Sequence, residues 1–204
     1  MAARAPLSRI ILASRSPRRL ELLRSLGLKV EVAASGYHER NLPRMSPPVL
    51  ARHHAHEKLR AILELEPERI FDVPVLAGDT VVDVDGEALG KPCDEAEASR
   101  MLGRLSGRDH FVHTAFALAI PGVAGWTEEL ATTRVWFYPL EPGEIAEYVA
   151  TGEPLDKAGA YGIQGRAASL VQAIDGDFYT VMGLPLGRLV RALRRSGFTL
   201  PEPK

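Results

Sequence analysis

The chain has 204 residues, enough for one substantial core or two small ones. Its 25 Lys+Arg balance 26 Asp+Glu to a net charge of -1, which argues against a protein that coats nucleic acid through a basic excess. One cysteine (Cys93) permits no intrachain disulfide, no segment approaches the ~20 apolar residues of a membrane span, and the apolar run near the amino terminus is too short for a secretory signal. A soluble cytoplasmic protein that binds no nucleic acid and no membrane is expected.

Residues 10–13 form a short apolar run that reads as a strand buried on both faces. Ser16 and Pro17 then supply a capping hydroxyl and a proline at the first helical position. Leu20, Leu22, Leu23 and Leu26 give that helix an apolar stripe, and Gly27 closes it. Alternation over 29–33 predicts a second strand, so the chain opens as strand, helix, strand. Residues 36–48, polar with three prolines, read as a loop, and 49–65 as a helix carrying Leu50, Leu59, Ile62 and Leu63. An apolar strand over 73–78 runs into Asp79 and Thr80, and 81–89 reads as a hairpin around Asp85-Gly86.

Asp94 caps a predicted helix whose inner face is Ala98, Met101, Leu102 and Leu105, ending near Gly107. Two longer strands, 110–120 and 132–138, are joined across PGVAGWTEEL; a short helix follows over 144–150. The Gly- and Ala-rich stretch 155–168 is expected to be an ordered loop, 169–174 a strand, Asp175-Gly176 a turn and 184–196 the last helix. With no repeat and no linker, residues 1–204 read as a single mixed α/β domain, two-lobed at most, with a frayed tail over 198–204.

Several charges ask for an explanation. Arg18 and Arg19 fall in the first turn of the first helix, where free N–H groups and the macrodipole disfavour each cation by a few tenths to ~1 kcal/mol. Either a polyphosphate offsets this, or both arginines are solvated beside Glu21. Asp79 sits at the predicted carboxyl end of a strand, the edge where open α/β sheets hold ligands. Such a carboxylate suits Mg²⁺ shared with substrate phosphates, or equally a cap on a turn with Thr80. Asp83 and Asp85 read as turn residues. Lys91, between Gly90 and Pro92, and Lys58, beside the apolar face of the second helix, each read first as surface charges when taken alone. His53, His54 and His56 show no HExxH pattern, and a variable helical surface is the simpler account of them. Glycines 159, 162 and 165 match no phosphate-binding fingerprint and imply backbone passing close to a ligand or another strand.

Taken together, ASRSPRRLELL (13–23), AGDTVV (77–82), GKP (90–92), MLGRLSG (101–107), EPLDKAGAYGIQG (153–165) and VMGLPL (181–186) resemble the Maf family of nucleoside triphosphate pyrophosphatases. The resemblance spans nearly the whole chain, in several ordered blocks. It implies an elongated mixed-sheet α/β fold with two lobes and a central cleft, similar to inosine triphosphate pyrophosphatases. It also implies hydrolysis of the α–β phosphoanhydride bond with Mg²⁺ or Mn²⁺, and a homodimer. The intact DKAGAYGIQG block resembles the branch acting on dTTP and UTP, not the one handling 7-methyl-GTP.

Carried over by position, the resemblance places phosphate contacts on Ser14, Arg18 and Arg19, and a loop glutamine on Gln164. Catalytic roles fall on Asp79, Glu39, Lys58 and Lys91, with Asp79 and Glu39 as metal ligands; the YHERN context of Glu39 is a loose match. Some relatives carry an acidic residue where this chain has Gly90, which leaves that work to Asp79 and Glu39. The cations would neutralise the triphosphate, one carboxylate would accept the water's proton, and Gln164 would read the pyrimidine edge or position phosphate. Two other readings stand beside this one: a pyrophosphatase for a modified purine triphosphate, and a non-catalytic nucleotide-binding regulator of cell division.

Overall fold

In a computed structural model of the chain, residues 6–40, 42, 44–65 and 72–201 are described. Among these residues seven strands form one mixed sheet: β1 (Arg9–Leu12), β2 (Lys29–Val32), β3 (Val75–Val84), β4 (Glu87–Leu89), β5 (Asp109–Ala119), β6 (Trp126–Phe137) and β7 (Val171–Asp175). The order is β2-β1-β3-β5-β6-β7, with β4 returning on β3. β1 runs parallel to both β2 and β3, and the remaining pairs are antiparallel. Among the described residues six α-helices accompany them: α1 (Pro17–Ser25), α2 (Pro47–Leu65), α3 (Glu95–Leu105), α4 (Pro142–Val149), α5 (Phe178–Met182) and α6 (Leu186–Arg195). The expected mixed-sheet α/β class is what the chain forms. Among the described residues no helix is long and apolar enough to cross a membrane.

The two faces of the sheet bury different cores. Even-numbered residues of β3 and β5 face one side. There Leu76, Phe116 and Leu118 join α1 and α6 in one cluster, and Val82, Val84 and Val112 join α3 and α4 in another. Val171, Ile174 and Val181 border both clusters, so the two halves meet along β7 and α5. Odd-numbered residues face α2, whose Ala51, Ala55, Leu59 and Ile62 cover Val75, Ala77, Val81, Ala115 and Ala117. The buried face of α2 also carries His54 and Lys58, one turn apart, which brings two polar groups against the sheet.

Local chemistry accounts for most elements. Ser16 caps α1, its hydroxyl accepting from Arg19 N–H at 3.4 Å, with Pro17 at the first position. The β3–β4 turn puts Asp85 at φ +57° and Gly86 at +82°, the backbone of a tight two-residue hairpin, and Asp83 Oδ1 accepts from Gly86 N–H at 2.8 Å.

Three expectations need correcting, and one helix is unforeseen. The apolar strand does not end before Asp79: β3 is one ten-residue strand, and Asp79 lies in its middle opposite Ala115. Gly78, Asp79 and Thr80 break the apolar pattern while the backbone pairing continues, because β5 supplies a ladder partner at every position from Val75 to Asp83. β6 begins at Trp126, six residues before the predicted start, since cross-strand pairing with β5 outweighs the polar composition of TEE. The short α5 had no apolar period to announce it; Asp177 caps it by accepting from Tyr179 and Thr180 N–H. Finally, the tail is not frayed from residue 198. Phe198 and Leu200 pack on the first core and Leu7 N–H donates to Thr199 C=O at 2.8 Å; residues 202–204 lie outside those described.

One feature of the sheet positions the site. On the β1 side, β3 pairs with β1 only at Val75 and Leu76, and its pairing with β4 starts at Val82. Among the described residues, positions 77–81 have no strand on that side, so the sheet has a notch in which both of its faces are accessible.

Candidate active site

A cleft of about 680 Å³ fills the notch. Its walls come from the β1–α1 turn (Ser14 to Arg19), the segment after β2 (residues 34–40), α2, β3, the Gly90-Lys91 pair and the loop 156–164. Side-chain alternation in β3 sends Asp79 toward α2 and Thr80 to the opposite face, yet the notch lets both reach the same space.

On the α2 side, Lys58 Nζ donates to Asp79 Oδ1 at 2.7 Å and contacts Glu39 Oε1 at 2.5 Å, with Gly78 C=O at 3.4 Å. The side chains of Lys58 and Asp79 are 10% and 7% exposed, whereas that of Glu39 is 48% exposed. Burying a carboxylate is costly unless it is paired, and Lys58 supplies the pairing. Partial burial would raise the Glu39 carboxyl, but the charge and hydrogen bond of Lys58, aided by Lys91, outweigh this and hold it below the usual range. His54, buried one turn before Lys58, has its pKa lowered by burial against the opposing pull of Asp79 and Glu39. Its Nδ1 lies 3.0 Å from the Tyr37 hydroxyl.

On the other side, Arg19 is 7% exposed and its guanidinium is held at three nitrogens. Nε donates to Gly183 C=O at 2.7 Å, Nη1 to Ser14 Oγ at 3.1 Å and Nη2 to Thr80 Oγ1 at 2.9 Å. From Thr80 the chain continues to Thr114 Oγ1 at 2.9 Å, and Thr114 donates to Thr180 C=O at 2.7 Å. With Thr114 donating onward, Thr80 donates to Thr114 and accepts from Arg19, so every hydroxyl proton in the chain is placed. Desolvation lowers the pKa of Arg19 against the favourable fields of Asp79 and Glu39, and the guanidinium stays charged. Three of its five N–H groups are used, leaving two for the cleft.

Arg18 is more open and lies 3.6 Å from Asp156 Oδ2, on the loop that closes the cleft. Asp156 also takes a 2.7 Å contact from Lys157, whose Nζ anchors Glu153 C=O at 2.6 Å. Lys91 and Gln164 are exposed side chains lining the same cleft. Gly159 N–H donates to Gly90 C=O at 3.0 Å and fastens the loop beside Lys91. Gly159 is at φ +66° and a Cβ there would stand 2.9 Å from Val82 Cγ1, so the loop lies directly on β3. Of the two neighbours foreseen for these glycines, a strand is the one met at 159; at 162 and 165 the nearest groups are Lys157 and Glu153.

All eight residues singled out from the sequence therefore line one cleft, with Ser14, Arg19, Thr80 and Asp79, Lys58, Glu39 as two bonded clusters. The reading of the histidine run as helix surface is corrected for His54, which is 4% exposed; the four-residue step from His54 to Lys58 was the signal. Thr114, Thr180 and Gly183 were not foreseen, because their contacts to Arg19 and Thr80 cross between distant strands and turns. Tyr37 likewise carries no local signal, standing in a segment without period.

A notched α/β sheet with cations on both walls and two carboxylates gathered on one lysine has the charge pattern of a site for a polyphosphorylated small molecule. The chain belongs to the Maf-like protein family, whose model matches residues 9–196. Among its relatives, a dTTP/UTP pyrophosphatase from Symbiobacterium thermophilum is 50% identical over 196 residues, 95% of this chain and 97% of that one. One of the same name from Thermus thermophilus is 49% identical, covering 93% and 95%. Another from Bacillus velezensis is 46% identical, covering 91% and 95%. Among solved structures, a nucleoside-triphosphatase / dITP/XTP pyrophosphatase from Mycobacterium abscessus is a distant likeness, with a TM-score of 0.42 at 19% identity over 92% of this chain and 95% of that one.

Proposed function

We propose that the chain is a nucleoside triphosphate pyrophosphatase that cuts the α–β phosphoanhydride bond of dTTP and UTP, releasing the monophosphate and pyrophosphate. The observation that carries this is the joining of Asp79 and Glu39 on Lys58 within one cleft that Arg18, Arg19 and Lys91 also line. Near-full-length identity of about half to relatives bearing that name supports the choice of substrate.

In the reaction a water oxygen bonds to a phosphorus atom flanking the α–β bridge, and the bond from that phosphorus to the bridging oxygen breaks with its electron pair leaving on the departing phosphate group. The water's proton passes to a carboxylate. Asp79, buried and fixed by Lys58, is the base in this reading. Arg19 enters the reaction already oriented, so its two remaining N–H groups meet phosphate oxygens without reorganisation. Lys58, Lys91 and Arg18 add positive charge toward the triphosphate chain, and Ser14 orients Arg19. Gln164 offers an amide donor and acceptor, a match for the C4 carbonyl and N3–H that uracil and thymine share. Val82, Leu89, Val112 and Ile163 add apolar lining to the cleft.

Mg²⁺ or Mn²⁺ belongs to the same reading. Among the described residues no group of three or more potential protein ligands is gathered, but two carboxylates completed by substrate phosphates are the donor set that Mg²⁺ takes. Asp79 and Glu39 would hold the ion, which would neutralise phosphate charge and acidify water. A single catalytic domain, a homodimer and a cytoplasmic location complete the proposal on the strength of the family resemblance, and sedimentation analysis tests the dimer.

The test is a panel of nucleoside triphosphates with Mg²⁺, scoring both products. dTTP and UTP should exceed 7-methyl-GTP in kcat/KM, with one pyrophosphate per monophosphate. A reversed preference would move the chain to the modified-purine reading. Tight nucleotide binding without turnover would favour the non-catalytic regulator.

A further inference from the structure

Glu39 is the weakly anchored member of the site. It lies on the irregular segment between β2 and α2, is half exposed, and holds to the fold through Lys58. Lys58 is also bonded to Asp79, and as a cation in a cleft for polyphosphate it has phosphate as a competing partner. A carboxylate meant to ligate a cation needs a support that does not itself take part in the exchange.

Such a support stands two residues away. The Tyr37 hydroxyl lies 3.0 Å from His54 Nδ1, with the rings 5.8 Å apart. His54 and Lys58 are four apart on α2, a rise of about 6 Å, while Tyr37 and Glu39 are two apart on a segment that spans about 6–7 Å when extended. The spacings match, so segment and helix meet at two rungs: Tyr37 on His54, and Glu39 on Lys58. His54 is 4% exposed and fixed within the helix, and the Tyr37 N–H donates to Ser35 Oγ at 3.4 Å, which braces the segment from its own side. Among the described residues, these rungs are the side-chain hydrogen bonds that tie residues 35–40 to α2.

We propose that Tyr37 and His54 are positioning residues that register Glu39 for cation binding, a role that rests on Glu39 being a metal ligand as read above. Both line the same cleft, and the role assigned to them is exercised through the Glu39 carboxylate.

The test measures Mn²⁺ binding to the protein without nucleotide, from the electron paramagnetic resonance of the free ion. Tyr37→Phe and His54→Leu should each weaken binding about tenfold, the cost typical of losing support behind a metal ligand. The double variant should lose no more than either single one, because the two share one bond. His54→Asn, whose amide can accept from the Tyr37 hydroxyl, should stay within about threefold of wild type. A merely structural role would lower Tm in all of these variants without this pattern in affinity. Glu39→Gln is the control. If it leaves Mn²⁺ affinity unchanged, the reading of Glu39 fails and takes the inference with it. If it weakens binding while Tyr37→Phe does not, the inference alone is overturned. Tyr37→Phe removes only a hydroxyl, so the result stands even if His54→Leu does not fold.

Discussion

Arg19 is expected to be a structural keystone as well as a phosphate contact, and lysine in its place separates the two roles. Lysine keeps the positive charge but loses the planar fork. Its single ammonium can serve one of the three acceptors well, which leaves two of Gly183 C=O, Ser14 Oγ and Thr80 Oγ1 short of a donor. Gly183 C=O is buried deepest among these contacts, whereas Ser14 is partly open and also receives Ser16 N–H at 3.2 Å, so its loss costs less. An unsatisfied buried acceptor costs about 1–3 kcal/mol, so Arg19→Lys should destabilise the fold by about 2–3 kcal/mol. For a chain of this length that lowers Tm by roughly 5–10 °C. Urea unfolding followed by the fluorescence of Trp126 and Trp136, which lie at opposite ends of β6, measures it. Pyrophosphate affinity by calorimetry should fall in the same variant, since the two N–H groups left for the cleft lose their orientation. A stability change under about 0.5 kcal/mol would show that the three bonds do not hold the arginine, and would remove the preorganisation argument.

Three further outcomes are expected. Asp79→Asn removes the buried carboxylate that Lys58 grips, and should reduce Mg²⁺-dependent dTTP turnover by at least about a hundredfold; near-normal turnover takes Asp79 out of the chemistry. Burial pushes the pKa of His110, 2% exposed with Nε2 2.6 Å from the Tyr161 hydroxyl and Nδ1 without a partner among the described residues, down to about 4. Because the folded pKa is depressed, its contribution is intact above the unfolded pKa near 6.5 and is lost as pH falls toward 4. That loss amounts to about 3 kcal/mol, so urea midpoints across this range should slope less in His110→Gln, and equal slopes would refute it. Gly159→Ala meets both a positive φ and Val82 at 2.9 Å, so it should cost more than about 1 kcal/mol and raise KM for dTTP by shifting the loop that carries Gln164; an unchanged KM would uncouple that loop from the base.

What the sequence makes legible follows from how local each cause is. α1 could be read because its cap, its proline and its leucine stripe are all neighbours, and Asp85-Gly86 because the turn's backbone demands are met by the pair itself. β3 could not be read to its end, since Gly78 and Asp79 stand there against the strand's own preference, and long-range pairing with β5 compensates. Arg18, Arg19 and Asp79 stand out because each is locally anomalous, whereas Lys58, Lys91 and Glu39 are singled out only by the family resemblance. Thr114 and Thr180 are ordinary residues in ordinary places, and their importance comes only from lying on the line that starts at Arg19. His54 falls between: its spacing from Lys58 is local, but nothing in the helix says that Tyr37 will arrive opposite it.

The gap in the sheet between β1 and β4 has a consequence for solubility. An open strand edge is ordinarily an invitation to pair with another chain, and natural sheets go to some length to blunt it. Here the bare stretch, residues 77–81, spans about 16 Å and is fenced at both ends by strands of its own sheet. A foreign strand would have to enter with its ends already blocked, while a molecule of nucleotide size meets no such obstacle. The chain can thus leave a stretch of a central strand without a neighbouring strand, open to a ligand, without advertising an edge for aggregation.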